Sequence, residues 1–339
     1  MYKEEEVVFY NNDIKLAGTL TIPVKKGRHP AIVMKTGSGP LNRDQEYLGF
    51  KTFKIIANHF AQQGIATLRY DSRGVGGSTG KVWHYTFPDL ANDVMAAVHY
   101  LGNRNEINTN QIGLCGHSEG GFIAPLCASN SDKIAFIILI SGGGQTGGEI
   151  FLTQNELIMK AEGKSEDIIS DILNLQKKLF PLILEGAKEK EIELIIIDIT
   201  NMLLNIQSND EKVSKSEIDK RIKYQVACQL EQFNSPWFKS FLAYDPLLKL
   251  EKVTCPVLML FGELDLQVPA EQNKNIMEEA LHKGGNNHYS SIILPKANHL
   301  YQRAINGSPS EYGNLDNSFV SGFLDSMSNW LLKYVDIVK

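Results

Sequence analysis

The chain has few cysteines, and they are widely spaced. The four residues Cys115, Cys127, Cys228 and Cys255 include no pair in C-x-x-C spacing. Structural zinc sites depend on closely spaced cysteine or histidine ligands, so no zinc site is predicted and no other metal is expected. Cys115 and Cys127 lie in apolar stretches, which is typical of reduced cysteines in a protein core.

An excess of positive charge and long apolar runs are also lacking. The 34 Lys and Arg residues are outnumbered by 39 Asp and Glu residues, and the resulting net charge of -5 disfavours nucleic acid as a partner. No apolar stretch reaches the roughly 20 residues that span a bilayer. The acidic N-terminus lacks a hydrophobic signal segment, which favours a cytoplasmic protein, or an exported one whose signal peptide has been removed. No feature of the sequence indicates an oligomeric state.

The most informative stretch surrounds Ser118. Residues Gly116 to Gly120 match the pattern G-x-S-x-G, between an apolar run typical of a strand and small, apolar residues at helical spacing. In this context the serine lies on a sharp, strained turn, and the two glycines leave room for neighbouring backbone. The helix N-terminus could stabilise negative charge that develops on an acyl oxygen. Ser118 is therefore a candidate nucleophile, and a chance glycine-rich turn is the alternative.

Strands and helices alternate over most of the chain. Alternating apolar and polar residues over 6–23 predict a β-hairpin. Later apolar runs predict strands at 31–34, 65–70, 112–115, 134–140, 257–261 and 290–294. Besides the helix after Ser118, helices are predicted at 50–63, 87–101, 269–283 and 317–335. Regular alternation of this kind is typical of an α/β fold with a mostly parallel sheet wound on both sides.

Residues 147–241 break this alternation. Helical segments are predicted there at 150–162, 165–180, 187–206 and 215–232. We interpret the stretch as a helical cap inserted into one α/β domain, which residues 1–146 and 242–339 form. Such a cap is expected to shape an acyl pocket and limit water access. Its residues Gln232, Phe233, Trp237 and Phe241 could line the hinge side or merely pack the cap on the core.

A serine nucleophile of this kind needs an acid and then a histidine, each in a loop at the carboxyl edge of the sheet. Among the eight histidines, His299 has the right position, just beyond a predicted strand and before the last predicted helix. Strand 257–261 is followed by Glu263 and Asp265. Asp265 is favoured because Gly262 turns the chain first, and Glu263 is the alternative. The predicted triad is Ser118, Asp265 and His299.

An oxyanion hole requires two N–H donors. One is predicted to be the amide of Glu119, which directly follows the serine. The other is predicted to be the amide of Ser38, in the loop after the strand that ends near Lys35.

A second glycine-rich loop, residues 74–77, is a poor phosphate-binding loop. No Gly-Lys-Ser/Thr follows it, and the third glycine of the dinucleotide pattern is missing, so no cofactor is expected. The neighbouring residues Asp71 and Arg73 are expected to brace loops rather than to take part in catalysis.

Together these motifs resemble the α/β-hydrolase superfamily. Residues 36–40, with Arg43 and Asp44, resemble the G-S-G-P loop of esterases close to dienelactone hydrolases and acylaminoacyl-peptidase-like enzymes. Further blocks of that group match residues 70–78, 116–121, 262–269 and 298–299. The resemblance covers about residues 6–145 and 240–338, and it implies an α/β-hydrolase fold. Many relatives have His-Gly in place of Thr36-Gly37, which could alter the support of the oxyanion loop.

The combined prediction is a cofactor-free serine carboxylesterase that cleaves small to medium acyl esters through an acyl-enzyme. A peptidase or thioesterase with the same triad is the main alternative, because glutamates of the cap could bind a substrate amine. A non-catalytic binding protein on a hydrolase fold is less favoured, since the triad and both turn glycines are present.

Overall fold

The computed structural model describes residues 1–205 and 215–336 of the chain. The chain divides into two compact units. The first, which we call the sheet unit, comprises Met1–Val82, Phe87–Gln145 and Asp245–Lys339, and the second, the helical unit, comprises Trp83–Thr86 and Thr146–Tyr244. Residue 206, the last of the third predicted insertion helix, lies outside the described residues, as do residues 337 and 338 of the stretch that resembles esterases.

The sheet unit is built on parallel strands with an antiparallel hairpin at one edge. Its strands are β1 (Tyr2–Asn11), β2 (Ile14–Pro23), β3 (His29–Lys35), β4 (Glu46–Tyr47), β5 (Phe50–Lys51), β6 (Ala66–Tyr70), β7 (Ile107–His117), β8 (Ile137–Ile140), β9 (Val257–Gly262) and β10 (Tyr289–Leu294). Eight of them form one sheet in the order β1-β2-β6-β3-β7-β8-β9-β10. The β1–β2 and β2–β6 pairs are antiparallel, and the other neighbours are parallel. The predicted mostly parallel sheet with an N-terminal hairpin is confirmed.

Helices follow most strands of the sheet and fill the insertion. They are α1 (Thr52–Gln62), α2 (Phe87–Gly102), α3 (Glu119–Ala128), α4 (Gly147–Ala161), α5 (Glu166–Glu185), α6 (Glu189–Asn205), α7 (Lys215–Phe233), α8 (Pro236–Leu242), α9 (Leu247–Leu250), α10 (Ala270–Lys283) and α11 (Phe323–Leu331). A 3-10 helix spans Pro309–Asn314. In the part of the chain that the structure describes, no helix has both the length and the hydrophobicity that a membrane crossing requires.

The central strands of the sheet unit are buried on both faces. Every residue of β8 is buried, as expected of a parallel strand that helices cover on either side. Ile138 of this strand belongs to a core cluster with Phe53 and Phe60 from α1 and Trp330 from α11. This packing fixes the carboxyl ends of the strands, from which the candidate site residues extend.

The acidic N-terminus forms the edge strand β1, and three consecutive glutamates there pair with arginines. The pairs are Glu4–Arg69, Glu5–Arg104 and Glu6–Arg43. Successive side chains of a strand point to opposite faces, so the outer two glutamates reach arginines on one side and the middle one reaches the other side. These pairs tie the hairpin to the rest of the sheet unit.

The end of the chain differs from the prediction. The last helix begins at Phe323 and ends at Leu331, instead of spanning 317–335. The residue before it, Gly322, has a φ of 83°, a left-handed conformation that interrupts a helix. The prediction also missed the short β4–β5 hairpin and the 3-10 helix.

Within the helical unit, aromatic side chains pack on one another. Phe233 stacks on Phe238 with ring centroids 4.5 Å apart, and the Trp237 and Phe241 rings are nearly parallel at 5.6 Å. Trp83, which lies outside the predicted insertion, packs against Trp237 at 4.5 Å. Short-range helical periodicity gave no indication that this tryptophan belongs to the helical unit.

Replacing Ile138 with alanine should destabilise the sheet unit by about 2–5 kcal/mol, because the fully buried side chain would leave a cavity. Ile293→Ala on the edge strand β10 is the matched control, since 46% of that side chain is exposed, and it should cost much less. Urea unfolding of both variants measures the difference. Equal losses of stability would contradict the assignment of β8 to the core.

Candidate active site

Ser118 lies on a strained turn between β7 and α3. Its φ is 52° and its ψ is -115°, backbone angles that residues other than glycine rarely adopt. A Cβ at Gly116 would collide with the carbonyl oxygen of Gly120, and a Cβ at Gly120 would collide with that of Lys35. Both glycines of the motif are therefore sterically required, and the half-buried Ser118 lines a cavity.

Asp265 and His299 form a buried pair in the same region. Nδ1 of His299 lies 3.0 Å from Oδ1 and 2.9 Å from Oδ2 of Asp265. The amides of Gln267 and Val268 also donate to Oδ1, each at 2.9 Å. Burial raises the pKa of Asp265, but the charge and hydrogen bond of His299 and the Val268 amide outweigh it, so this pKa lies below its ordinary value. An ionised Asp265 holds the Nδ1–H of His299 and leaves Nε2 available for proton transfer.

Glu263, the alternative acid, has a different partner. Its side chain is exposed and accepts a hydrogen bond from the backbone amide of Lys296 at 2.7 Å. The structure thus brings Asp265 to the imidazole of His299 and leaves Glu263 at the surface.

The turn that carries His299 is held by Asn298. Oδ1 of this fully buried side chain accepts hydrogen bonds from the amides of Leu300 and Gln302, at 3.0 and 2.9 Å. The hydroxyl of Tyr301 donates to the carbonyl of Leu260 at 2.7 Å. The histidine loop is therefore fixed both internally and to strand β9.

His117 connects the serine turn to the histidine loop. Its Nε2 lies 2.8 Å from the carbonyl oxygen of His299, and the two imidazole rings are 4.6 Å apart. A carbonyl can only accept, so Nε2 carries the proton, and Nδ1 is a buried acceptor with no partner among the described residues. Burial and the charge of His299 lower the pKa of His117 to about 3. His117 is therefore neutral at physiological pH.

The predicted oxyanion loop lies against the serine turn. A Cβ on Gly37 would be 3.4 Å from the Cβ of Ser118, which is ordinary van der Waals contact. Ser38 is exposed and lines the same cavity as Ser118, and its amide donates to no atom of the described residues. The other predicted donor, the amide of Glu119, is at the first residue of α3, directly after the serine. These positions are compatible with the predicted pair of donors.

A buried ion pair joins the two predicted donor segments. Nζ of Lys35, the last residue of β3, lies 2.9 Å from the Glu119 carboxylate and also donates to the Thr36 carbonyl at 3.0 Å. Both charged side chains are less than 10% exposed. Water therefore solvates neither charge well, and each charge is compensated by its partner. The pair connects β3 to α3.

Asp71 and Arg73 bind neighbouring loops. The Asp71 carboxylate accepts from the amide and the guanidinium of Arg43 and from the amide of Gly77, over distances of 2.8–3.1 Å. Arg73 forms a bidentate pair with Asp93 of α2 at 2.7 and 2.8 Å. Neither residue lines the cavity, in agreement with the predicted structural role.

Gln45 holds the loop that carries the predicted oxyanion donor, and sequence reasoning missed it. Its Oε1 accepts a hydrogen bond from the Gly37 amide at 2.9 Å, while the hydroxyl of Thr36 lies 3.2 Å from that of Ser72. This chain has Thr36-Gly37 where many relatives have His-Gly, and that difference indicated that the loop could be supported in another way. It did not indicate which residue supplies that support.

The cavity at Ser118 has a volume of about 220 Å³. It is lined by Gly37, Ser38, Leu41, Gln45, Tyr47, His117, Ser118, Gln267, His299, Leu300, Pro309 and Tyr312. No Asp, Glu, Lys or Arg is among these lining residues. Elsewhere in the described chain, no group of three or more His, Cys, Asp or Glu side chains is placed to hold a metal ion.

Comparison with known proteins identifies the family. The family described as serine aminopeptidase, S33, matches residues 50–299, which is more than half of the chain. The chain belongs to this family. As an S33 member it has the α/β-hydrolase fold, which confirms the predicted superfamily.

Esterases are among the relatives of this S33 chain. It is 26% identical to esterase EstD of Thermotoga maritima over 94% of its own length, and the match spans 66% of EstD. The structure resembles the Pyrococcus furiosus esterase PF2001, with a TM-score of 0.60, 15% identity and coverage of 99% and 92% of the two chains. It also resembles Est1E of Butyrivibrio proteoclasticus, solved with ferulic acid, with a TM-score of 0.55, 16% identity and coverage of 97% and 98%.

The neutral, buried His117 predicts an acid-sensitive contribution to stability. The unfolded chain binds a proton at this residue with a pKa of about 6.5, whereas the folded pKa is about 3, so stability falls as the pH drops below about 6.5. At pH 5 the loss should be about 2 kcal/mol. His117→Gln, which cannot titrate, should flatten the stability profile between pH 7 and pH 5 by that amount.

Urea titrations at several pH values measure this profile. His288→Gln removes an exposed histidine and is the matched control, which should keep the slope of the unaltered chain. An unchanged slope in His117→Gln would contradict the neutral, buried state of this imidazole.

The Lys35–Glu119 pair predicts strong coupling between two substitutions. Lys35→Met should cost about 3–5 kcal/mol, because it leaves the Glu119 carboxylate buried without its cation. Adding Glu119→Gln should recover part of that loss. A double-mutant cycle by urea unfolding measures the coupling, and a loss below about 1 kcal/mol in Lys35→Met would show that the pair is unimportant.

Proposed function

We propose that the protein is a serine carboxylesterase that acts on small, uncharged acyl esters without a cofactor. The observation that carries the proposal is the buried Asp265–His299 pair at the cavity that Ser118 also lines. The strained backbone of Ser118 and the esterases among the relatives support it further.

In the proposed reaction, Ser118 Oγ attacks the ester carbonyl carbon, and Nε2 of His299 takes the hydroxyl proton. Asp265 holds the Nδ1–H and stabilises the imidazolium. The amides of Ser38 and Glu119 donate to the oxyanion. The tetrahedral intermediate collapses with loss of the alcohol, which receives the proton from His299. Water, deprotonated by the same imidazole, then hydrolyses the acyl-enzyme.

The lining of the cavity favours an uncharged substrate. Binding a charged group away from water requires an opposite charge or several hydrogen bonds, and the lining residues include no carboxylate, ammonium or guanidinium group. The volume of about 220 Å³ lies below the usual range of about 300–1,000 Å³ for ligand pockets, which favours short acyl groups.

Aminopeptidase activity is the second candidate, and the description of the family favours it. An aminopeptidase must bind the ammonium group of its substrate, and a carboxylate is the usual partner. The lining described above offers none, so we place this activity second. The assignment of residues 147–241 as a cap, and hence any amine-binding glutamate from it, remains a prediction from the sequence.

Hydrolysis of p-nitrophenyl esters from acetate to laurate, beside aminoacyl p-nitroanilides, tests the proposal. We expect the highest kcat/KM on the shorter acyl chains and no turnover of the anilides. Turnover of the anilides without turnover of the esters would instead establish a peptidase.

Three variants test the assigned roles. Ser118→Ala and Asp265→Asn should each lower kcat by about 10⁴-fold or more, because one removes the nucleophile and the other disturbs the imidazole tautomer. Glu263→Gln is the matched control for the acid, and it should retain the kcat of the unaltered chain. A large loss in Glu263→Gln with an active Asp265→Asn would reverse the assignment of the acid.

A further inference from the structure

We propose that Gln45 is a positioning residue that fixes the peptide group carrying the Ser38 amide. This inference rests on the proposed function, because the Ser38 amide matters only if an oxyanion forms. Gln45 itself would not need to touch the substrate.

The side chain of Gln45 is held at both ends. Oε1 accepts from the Gly37 amide at 2.9 Å, and Nε2 donates to the hydroxyl of Thr52 at 3.0 Å. The Thr52 hydroxyl in turn donates to the main-chain carbonyl of Gln45 at 3.2 Å. Only 3% of Gln45 is exposed, so these bonds have little competition from water.

The backbone at Gln45 is fixed as well. Its φ of 47° is in the left-handed region, where a glutamine is rare, and its amide donates to the Asn42 carbonyl at 2.9 Å. The next contact is made by the Phe53 amide, which donates to the Asp44 carbonyl at 3.0 Å. The glutamine thus extends from a turn anchored on the start of α1, a rigid element of the sheet unit.

The Gly37 amide is one peptide away from the predicted oxyanion donor. Because the Gly37 N–H donates to Gln45, the orientation of its peptide group is fixed, and this restricts the orientation of the next peptide group. This next group carries the Ser38 N–H, which has no acceptor among the described residues. A Cβ added to Gly37 would lie 3.4 Å from the Cβ of Ser118, so this loop runs close to the nucleophile, and a shift of the loop would change the distance from donor to nucleophile.

A hydrogen-bonded glutamine in this place has a catalytic consequence. An oxyanion donor acts only if it is in place before the charge develops, and misplacement by about 1 Å can cost about 100-fold in rate. The binding of the ground-state ester depends less on this donor. Loss of the Gln45 bond should therefore lower kcat with little change in KM.

The test compares Gln45→Met, Gln45→Glu and the matched control Gln63→Met, which makes the same change at an exposed glutamine just after α1. With the best p-nitrophenyl ester, Gln45→Met should lower kcat by about 10- to 100-fold while KM changes by less than about threefold. Gln45→Glu keeps an acceptor for the Gly37 amide and should recover at least about fivefold of that loss. Gln63→Met should match the unaltered chain.

A trifluoromethyl ketone provides a second readout, because its adduct with Ser118 carries an oxyanion. Its inhibition constant should rise in Gln45→Met in proportion to the loss of kcat/KM. A kcat within threefold of the unaltered chain, or equal losses in Gln45→Met and Gln45→Glu, would overturn the inference. If Gln45→Met does not fold, Thr52→Val should lower kcat three- to tenfold at unchanged KM, and an unchanged kcat would overturn it.

Failure of the inference and failure of the proposed function give different results. An unaltered chain that hydrolyses no ester, and whose Ser118 is not labelled by a fluorophosphonate probe, would overturn both. An active unaltered chain with an equally active Gln45→Met would overturn only the role of Gln45.

Discussion

Three backbone segments approach one another closely at Ser118: the serine turn, the start of α3 and the end of β3. Their contact constrains the conformation of the loops around the site. The serine has a positive φ, which places the start of α3 so near the end of β3 that Gly120 has no room for a Cβ beside the Lys35 carbonyl. The loop after β3 runs so close to the serine side chain that a Cβ added to Gly37 would lie 3.4 Å from the Cβ of Ser118. Strain of this kind persists only where the surroundings over-determine it. Here the buried Lys35–Glu119 ion pair and the Gln45–Gly37 hydrogen bond act on the two segments that meet at the turn.

Charge is distributed unevenly around the site. Arginine–carboxylate pairs brace the surrounding loops, as Arg43–Asp71 and Arg73–Asp93 do, yet no Asp, Glu, Lys or Arg is among the residues that line the cavity. Among the described residues, the carboxylate that contacts His299 is that of the buried Asp265. In such a site the Asp265 carboxylate can support the proposed proton transfer, while no lining residue offers an ion-pair partner to a substrate. This arrangement is the reason for preferring an ester to a substrate with a free amine.

The two histidines at the site have different hydrogen-bond partners although their rings are only 4.6 Å apart. His299 faces the Asp265 carboxylate through Nδ1, whereas His117 is buried with a carbonyl acceptor on one nitrogen and no partner among the described residues on the other. A second cation beside His299 would oppose the imidazolium that the proposed mechanism needs. A neutral His117 avoids that conflict and still connects the serine turn to the histidine loop.

Local sequence patterns determined much of the fold and the candidates for the site. The alternation of apolar runs and helical spacing predicted the parallel sheet, and the G-x-S-x-G spacing selected Ser118, because these signals depend on residues close together in the chain. Which of Glu263 and Asp265 lies beside His299 depends on tertiary structure, since both follow β9 within three residues and only the path of the loop brings one to the imidazole. Sequence patterns also did not predict the contacts of Gln45 and His117, or the ion pairs that Glu4, Glu5 and Glu6 form with arginines. His117 and the three glutamates act through partners that are distant in the chain, and His117 and His299, for example, are 182 positions apart. Such contacts exist only once the sheet has assembled. The partners of Gln45, Gly37 and Thr52, are only eight and seven positions away, but they meet it through a turn geometry that no local pattern indicated.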